Sequence, residues 1–221
     1  MQKLMFPKTH SSRSGFTLIE LLVVLGIIAV VATFALPAMN TVLKGSQLTQ
    51  GAQMISDQIN LARQTALSAN RSVEVRFYQY GDPQTPGEQA TSPGTGKYRA
   101  IQLFEVQDTG SATALGKVVS MPSSIILDSG AALSTLLGTS LQKTWTSSDP
   151  QTSLPRVGTS YNCCYMRFLP DGSTNLAPSS GSPWFLTLHG INDGDGLAKP
   201  PTNFFTIQLD PTNGHTKTFR P

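Results

Sequence analysis

The residues of this 221-residue chain that could do chemistry are few and far apart. Glu20 comes first, a carboxyl side chain inside the run FTLIELLVVLGIIAVVATFALPAM (16–39), which is otherwise almost wholly apolar. A charge at the centre of a bilayer costs on the order of 2.5 to 3.5 kcal/mol, and such residues are generally paired. Two readings follow from the residues alone. In one, Glu20 sits at the headgroup boundary of a generic anchor and is cheaply solvated. In the other, the chain is cut after Gly15, and Phe16 gains a free amino group with Glu20 one helical turn along. The carboxylate of one subunit then neutralises the new amino terminus of its neighbour, which removes two costs together.

The remaining polar groups suggest no reaction. Cys163 and Cys164 are adjacent, which is neither a metal-ligand spacing nor a disulfide framework. Neighbouring side chains of a strand point to opposite faces, so two unpaired or merely packed thiols are expected; a vicinal disulfide needs a distorted backbone and an oxidising compartment. Asn192-Asp193-Gly194-Asp195-Gly196 gathers hard oxygen ligands but lacks the twelve-residue spacing and terminal glutamate of an EF-hand. It reads as a plain turn, with Asp193 and Asp195 the ligands to test if calcium bound there. A Ser-His-Asp site through His189 or His215 has no GxSxG or comparable nucleophile motif behind it. Neither an enzymatic activity nor a cofactor is expected. Trp184, Phe185, Phe204 and Phe205 resemble an aromatic surface, yet strand alternation sends one of each pair to the core.

The elements that position these residues fall into two kinds. The 16–39 run, at about 1.5 Å per residue, spans roughly 36 Å, enough to cross a hydrocarbon core about 30 Å thick. It reads as a transmembrane helix with its basic flank in the cytoplasm, and Pro37 is expected to kink it. Beyond it the helix continues with one apolar stripe, Leu48, Ala52, Ile55, Ile59, Ala62, Ala66 and Ala69, opposite a polar side. After Asn70 the period switches to two. Val73, Val75 and Phe77 alternate with Ser72, Glu74, Arg76 and Tyr78, as in a half-buried strand. Further strands are expected at 97–106, 117–121, 124–128, 163–169, 184–189, 203–209 and 215–219. Residues 81–96 read as a loop, and 129–160, rich in Ser, Thr, Gly and Leu, as a long excursion with one helical turn.

Composition agrees with this division. Charged residues make up 13% of the chain, low for a cytoplasmic domain, while Gly and Pro number 19 and 15. The formal net charge of +3 is matched by Lys3, Lys8 and Arg13 in the first fifteen residues, which hold no acid. From Phe16 onward bases and acids balance, so a global basic-patch argument for nucleic-acid binding fails.

The stretch Arg13-Ser14-Gly15-Phe16-Thr17-Leu18-Ile19-Glu20-Leu21-Leu22 resembles the processing motif of type IV prepilins and type II secretion pseudopilins. Residues 57–77, FLPDGS at 168–173 and the terminal FTIQLDPTNGHTKTF resemble the minor-subunit branch often labelled GspH/FimT. The resemblance implies an α+β, pilin-like fold, a long N-terminal transmembrane and amphipathic helix packed on an antiparallel β-sheet. It divides the chain into a leader peptide (1–15), a transmembrane helix (16–39), the amphipathic half of the same helix (40–70) and an extracytoplasmic β-rich head (71–221). It implies cleavage between Gly15 and Phe16 by a prepilin peptidase, methylation of Phe16, assembly through Glu20 and a helix kink at Pro37. The implied partners are other pilin or pseudopilin subunits and an inner-membrane assembly platform. The implied location is the bacterial inner membrane, single-pass, with the head in the periplasm or on a surface filament. Some members of the FimT branch bind DNA through a basic C-terminal region during natural transformation. Here that reading would fall to Lys217 and Arg220, with Arg156, Arg167 or Lys199 joining, and so sparse a set predicts weak, salt-sensitive binding. A membrane-anchored protein of another activity is the remaining alternative.

Overall fold

The computed structural model describes residues 15–85, 88, 96–178 and 183–221, with the backbone alone over 34–42. The chain divides into two compact units, Met1–Val42 and Leu43–Pro221. Among the described residues one α-helix, α1 (Leu18–Ala69), is followed by nine strands. These are β1 (Val73–Tyr80), β2 (Lys97–Val106), β3 (Ala112–Ala114), β4 (Val119–Ser120), β5 (Ile125–Leu127), β6 (Asn162–Phe168), β7 (Trp184–Gly190), β8 (Phe204–Leu209) and β9 (Thr216–Phe219). The expected strands are present within a few residues. β3 is an addition that its Ser/Thr/Ala/Gly surroundings did not signal.

In the unit Leu43–Pro221, the apolar stripe of α1 is the core face. Leu48, Ala52, Ile55, Ile59, Ala62 and Ala66 are all buried, while Ala69 at the helix end is exposed. The small residues on this stripe let the helix lie close to the sheet; a Cβ on Gly51 would already touch Ile125 at 3.4 Å. Asn70 stops the helix in the left-handed region at φ 52°, and the amide of Arg71 donates back to the carbonyl of Ala66. That is a Schellman-type end with asparagine in place of glycine. The sheet is antiparallel at every pairing, in the order β6-β1-β2-β5-β7-β8-β9, with β3 and β4 on β2. Val73, Val75 and Phe77 of β1 join the helix-facing core together with Ile101, Leu103, Met166, Phe168, Leu186 and Leu188.

The opposite face of β1 differs from expectation. Glu74, Arg76 and Tyr78, which the alternation assigned to a half-buried strand's outer side, are fully buried. The 129–160 excursion accounts for this. It sends Leu133, Leu136 and Leu137 into the interior through two 3-10 turns, Thr135–Leu137 and Thr139–Leu141, in place of the single helical turn expected. It then lays Lys143, Trp145, Asp149, Leu154 and Tyr161 over the outer face. The Arg76 guanidinium bonds Glu74 at 2.6 Å and both oxygens of Asp149 at 2.8 and 2.9 Å, and lies 3.7 Å from the Phe104 ring centroid. Lys143 bridges the same two carboxylates at 2.7 and 2.6 Å, and Arg167 adds a bond to Glu74 at 2.8 Å.

The two C-terminal segments that carried the family resemblance meet each other. Thr174 donates to the carbonyl of Pro211, and Arg63 of α1 reaches the carbonyl of Asn213 at 2.8 Å. Gly214, at φ 67°, sits so close that a Cβ would lie 2.5 Å from the carbonyl oxygen of Gly172.

Two expectations follow. Burial alone would raise the pKa values of Glu74 and Asp149, but the Arg76 and Lys143 charges outweigh it and hold both below their ordinary values of 4.5 and 3.8. Their stabilisation is therefore complete above those values and is lost as pH falls through the lower folded-state pKa values. Thermal unfolding followed by circular dichroism should show a midpoint that drops steeply below about pH 4, with a shallower drop in Asp149→Asn. Gly214→Ala should lower stability by about 2 kcal/mol or more, through left-handed strain and overlap together; an unchanged midpoint would contradict the close packing at Gly172.

Candidate functional site

Gly15 and Phe16 precede the first turn of α1 and are exposed, Phe16 at 81%. Thr17 opens the helix. Its hydroxyl accepts from the amide of Glu20 at 3.3 Å, and the Glu20 carboxylate returns to accept from the backbone amide of Thr17 at 3.4 Å and its hydroxyl at 3.3 Å. This is a reciprocal capping box, in which both side chains satisfy amides that a helix start leaves without partners. The carboxylate also sits at the positive end of the helix dipole. The geometry therefore gives Glu20 a local role in closing the start of α1. Sequence reasoning missed the part played by Thr17, although Thr-x-x-Glu directly ahead of an apolar run is a readable signal for it.

Beyond Glu20 the side chains of Leu21 to Val31 in the unit Met1–Val42 are exposed, with large apolar residues at 47 to 62%. Among the described residues no helix is long and apolar enough to cross a membrane, so the membrane-spanning helix expected over 16–39 is not supported by this structure. The kink expected at Pro37 falls within 34–42, whose side chains lie outside the described residues.

The other candidates belong to the unit Leu43–Pro221, and of these Trp184, His215 and Lys217 line one cavity. His189 is fully buried. Its Nε2 lies 3.0 Å from Asp128 and its Nδ1 3.0 Å from the carbonyl of Gly190, so both ring nitrogens are engaged and neither is free to act on a serine hydroxyl. His215 is exposed, beside Arg63 at 3.5 Å. In the 192–196 loop, Asp195 accepts from the amides of Ser129 and Gly196 and pairs with Lys97 at 3.3 Å. Its oxygens staple the loop, and no group of three or more potential metal ligands occurs among the described residues. Cys163 and Cys164 are free, buried thiols on opposite faces of β6; Cys163 packs with Tyr78 and Tyr161, and Cys164 faces the helix-side core and the Tyr98 hydroxyl. Burial raises both thiol pKa values, so neither is a poised thiolate. Trp184 and Phe205 pack toward the helix-side core, as alternation requires for one of each pair.

The cations proposed for nucleic acid are dispersed. Arg220 donates to Thr49 at 2.7 Å, Arg156 to Gln84 at 2.9 Å, and Arg167 is committed to Glu74. Lys217 lies on β9 and Arg220 directly after it, while Arg167 lies on β6, at the opposite end of the strand order.

Comparison with known proteins singles out the N-terminal junction. The prokaryotic N-terminal methylation motif matches residues 10–36 of this chain. No curated protein matches. Among solved structures, the minor pseudopilin EpsH of the Vibrio cholerae type 2 secretion system is similar at 11% identity and a TM-score of 0.42, over 79% of this chain and 98% of that one. The type IV minor pilin FimU of Pseudomonas aeruginosa is similar at 10% identity and a TM-score of 0.41, over 80% and 93%. The chain thus carries a prepilin-type N-terminal methylation motif ahead of an α+β domain in which a helix packs on an antiparallel sheet.

With the oxygens of Asp195 already spent, neither added calcium nor a chelator should move the thermal midpoint of the protein. A calcium-dependent rise would reassign the 192–196 loop as a metal site.

Proposed function

We propose that this chain is a structural subunit, not an enzyme: a minor pilin or pseudopilin that joins a type II secretion pseudopilus or a type IV pilus-like filament. The single observation that carries this reading is the methylation motif over 10–36. The exposed junction at Gly15 and Phe16, the capped Glu20 and the row of exposed apolar side chains that follows support it.

In this reading the chain is held in the bacterial inner membrane by its apolar run, with the head in the periplasm or on a surface filament. Prepilin peptidase cuts after Gly15, and the new amino terminus of Phe16 is methylated. The cut leaves the Thr17–Glu20 box intact and adds a cation next to it. Glu20 then has two possible partners, its own helix start and the amine of a neighbouring subunit. Exchange of a local cap for a charged partner in a low-dielectric surrounding registers one helix against the next. The exposed apolar side chains of the first half of α1 pack with their counterparts on other subunits, and the inner-membrane platform drives the addition.

Mass spectrometry of the N-terminal peptide should find a methylated Phe16 as the first residue. In-cell crosslinking of Glu20→Ala should show normal insertion and processing with filament incorporation reduced by about tenfold or more, the equivalent of about 1.4 kcal/mol of lost pairing. An intact Met1 terminus would overturn the processing step, and full incorporation of Glu20→Ala would overturn the charge-pairing step.

A further inference from the structure

We infer that the unit Leu43–Pro221 binds a second copy of itself, with Phe219 of one copy seated in an apolar groove between α1 and the β3–β4 segment of the next. The inference rests on the filament reading above only for bringing subunits side by side, and the surfaces it uses are independent of the Gly15 junction and of Glu20.

The groove forms where the sheet extends beyond the helix that covers it. Leu115 continues the β2–β3 register, its amide donating to the carbonyl of Leu103 at 2.9 Å, and Val119 of β4 faces Ile101 of β2. Directly opposed residues share a face, and Ile101 and Leu103 belong to the helix-side core. Leu115 and Val119 therefore lie on the same side of the sheet as α1, on strands that branch off the main strand order. The helix does not reach over them: Leu115 is 40% exposed, and Leu61 of α1 is 47% exposed. Leu61, Leu103, Leu115 and Val119, with the exposed Lys117, line a cavity of about 340 Å³. Sites for small molecules run from about 300 to 1,000 Å³, so this one is at the size of a single large side chain.

Three features select the occupant. Lys117 brings an ammonium to the groove, and an ammonium is attracted to the face of an aromatic ring and not to an aliphatic side chain. Among the described residues of this unit, Phe219 is the one aromatic side chain among the exposed large apolar ones, at 50%. Its position on β9 keeps it from its own groove. Phe219 pairs with Thr206 and Lys217 with Gln208, positions that alternate with the core residues Ile207 and Leu209, so Phe219 and Lys217 share the face turned away from α1. The third feature is charge. Lys217 stands about 7 Å from Phe219, two residues along a strand. Asp57 stands about 6 Å from Leu61, one turn back on α1; it is exposed and, among the described residues, its side chain is bonded to the neutral Gln53. With Phe219 against Leu61, Lys217 comes opposite Asp57. Groove and aromatic side chain are different patches of one chain, so the contact is heterologous and passes from copy to copy into a ring or an open filament.

The test uses the full-length chain in detergent, with Phe219 replaced by the photoreactive p-benzoylphenylalanine and with ¹⁵N-labelled and unlabelled chains mixed in equal amounts. After irradiation, mass spectrometry should find adducts on residues 58–65 or 115–119 in mixed-isotope pairs. Analytical ultracentrifugation should show Asp57→Lys weakening self-association about tenfold, and Asp57→Lys combined with Lys217→Asp restoring it. Both residues are exposed, so a thermal midpoint close to that of the unaltered chain should accompany the loss, which separates binding from folding. Adducts confined to one chain, adducts elsewhere on a second chain, a chain that does not self-associate, or a charge swap that restores nothing would each overturn the inference. So would capture of a different protein in place of a second copy by the same photoreactive group at Leu115 in cells. None of these outcomes alters the Phe16 methylation or Glu20→Ala measurements, so failure here is distinguishable from failure of the filament reading.

Discussion

Arg76 carries a full charge with no solvent contact, and the outer face of the sheet is arranged around it. An isolated buried guanidinium costs several kcal/mol, so the strand that bears it is stable only where carboxylates and further donors close round it. Glu74, two residues away on the same face of β1, supplies one carboxylate. The other comes from Asp149, 73 residues later in the chain, and can arrive only if the 129–160 excursion folds back over the sheet. Lys143 then ties the two carboxylates together, with Trp145 and Tyr165 flanking the cations. A long segment with little secondary structure of its own is thereby fixed in one place. Its leucines, Leu133, Leu136 and Leu137, are buried by the same fold-back.

The two acidic residues placed against apolar surroundings solve the same problem at different distances. Glu74 is neutralised by cations from three parts of the chain. Glu20, among the described residues, is held by the backbone amide and hydroxyl of Thr17, with no cation in contact. A capping box suffices for a carboxylate in water and falls short for one in hydrocarbon, where a counter-charge is also needed. That shortfall is what makes Glu20 a recruiting group in the proposed filament, whereas Glu74 is sealed within its own domain.

The helix and most of the strands were legible because each rests on a local period. The stripe from Leu48 to Ala66 and the alternation of Val73, Val75 and Phe77 state which face is apolar, and the structure buries those faces. What lies against the other face is not a local property. Ser72-Val73-Glu74-Val75-Arg76 reads identically whether Glu74 and Arg76 meet water or a lid, and the lid's anchor residues are separated by sequence that has no period at all. The junction at Gly15 was legible as a motif, while the capping function of Thr17 was present in the same ten residues and was overlooked in favour of Glu20. The bulge at Arg99 of β2, where Tyr78 faces Ala100 but Gln79 faces Tyr98, left no trace, since a bulge depends on the pairing register of two strands.

The two units of the chain place their unsatisfied groups differently, and this bears on how such a protein is used. In Leu43–Pro221, apolar surface is largely internal, and the buried side-chain atoms left unpaired among the described residues belong to arginines of the sheet, Arg76 on β1 and Arg99 on β2. Among the described residues of Met1–Val42, backbone hydrogen bonds are made within the helix and large apolar side chains are left exposed: Leu18, Ile19, Leu22, Ile27 and Val31 all face outward. A helix with exposed apolar residues on every side has no stable place in water and associates with lipid or with other helices like itself. Non-directional apolar contact alone leaves such helices free to slide along one another. In the proposed filament, the carboxylate of Glu20 near the start of the run supplies the direction that apolar contact lacks.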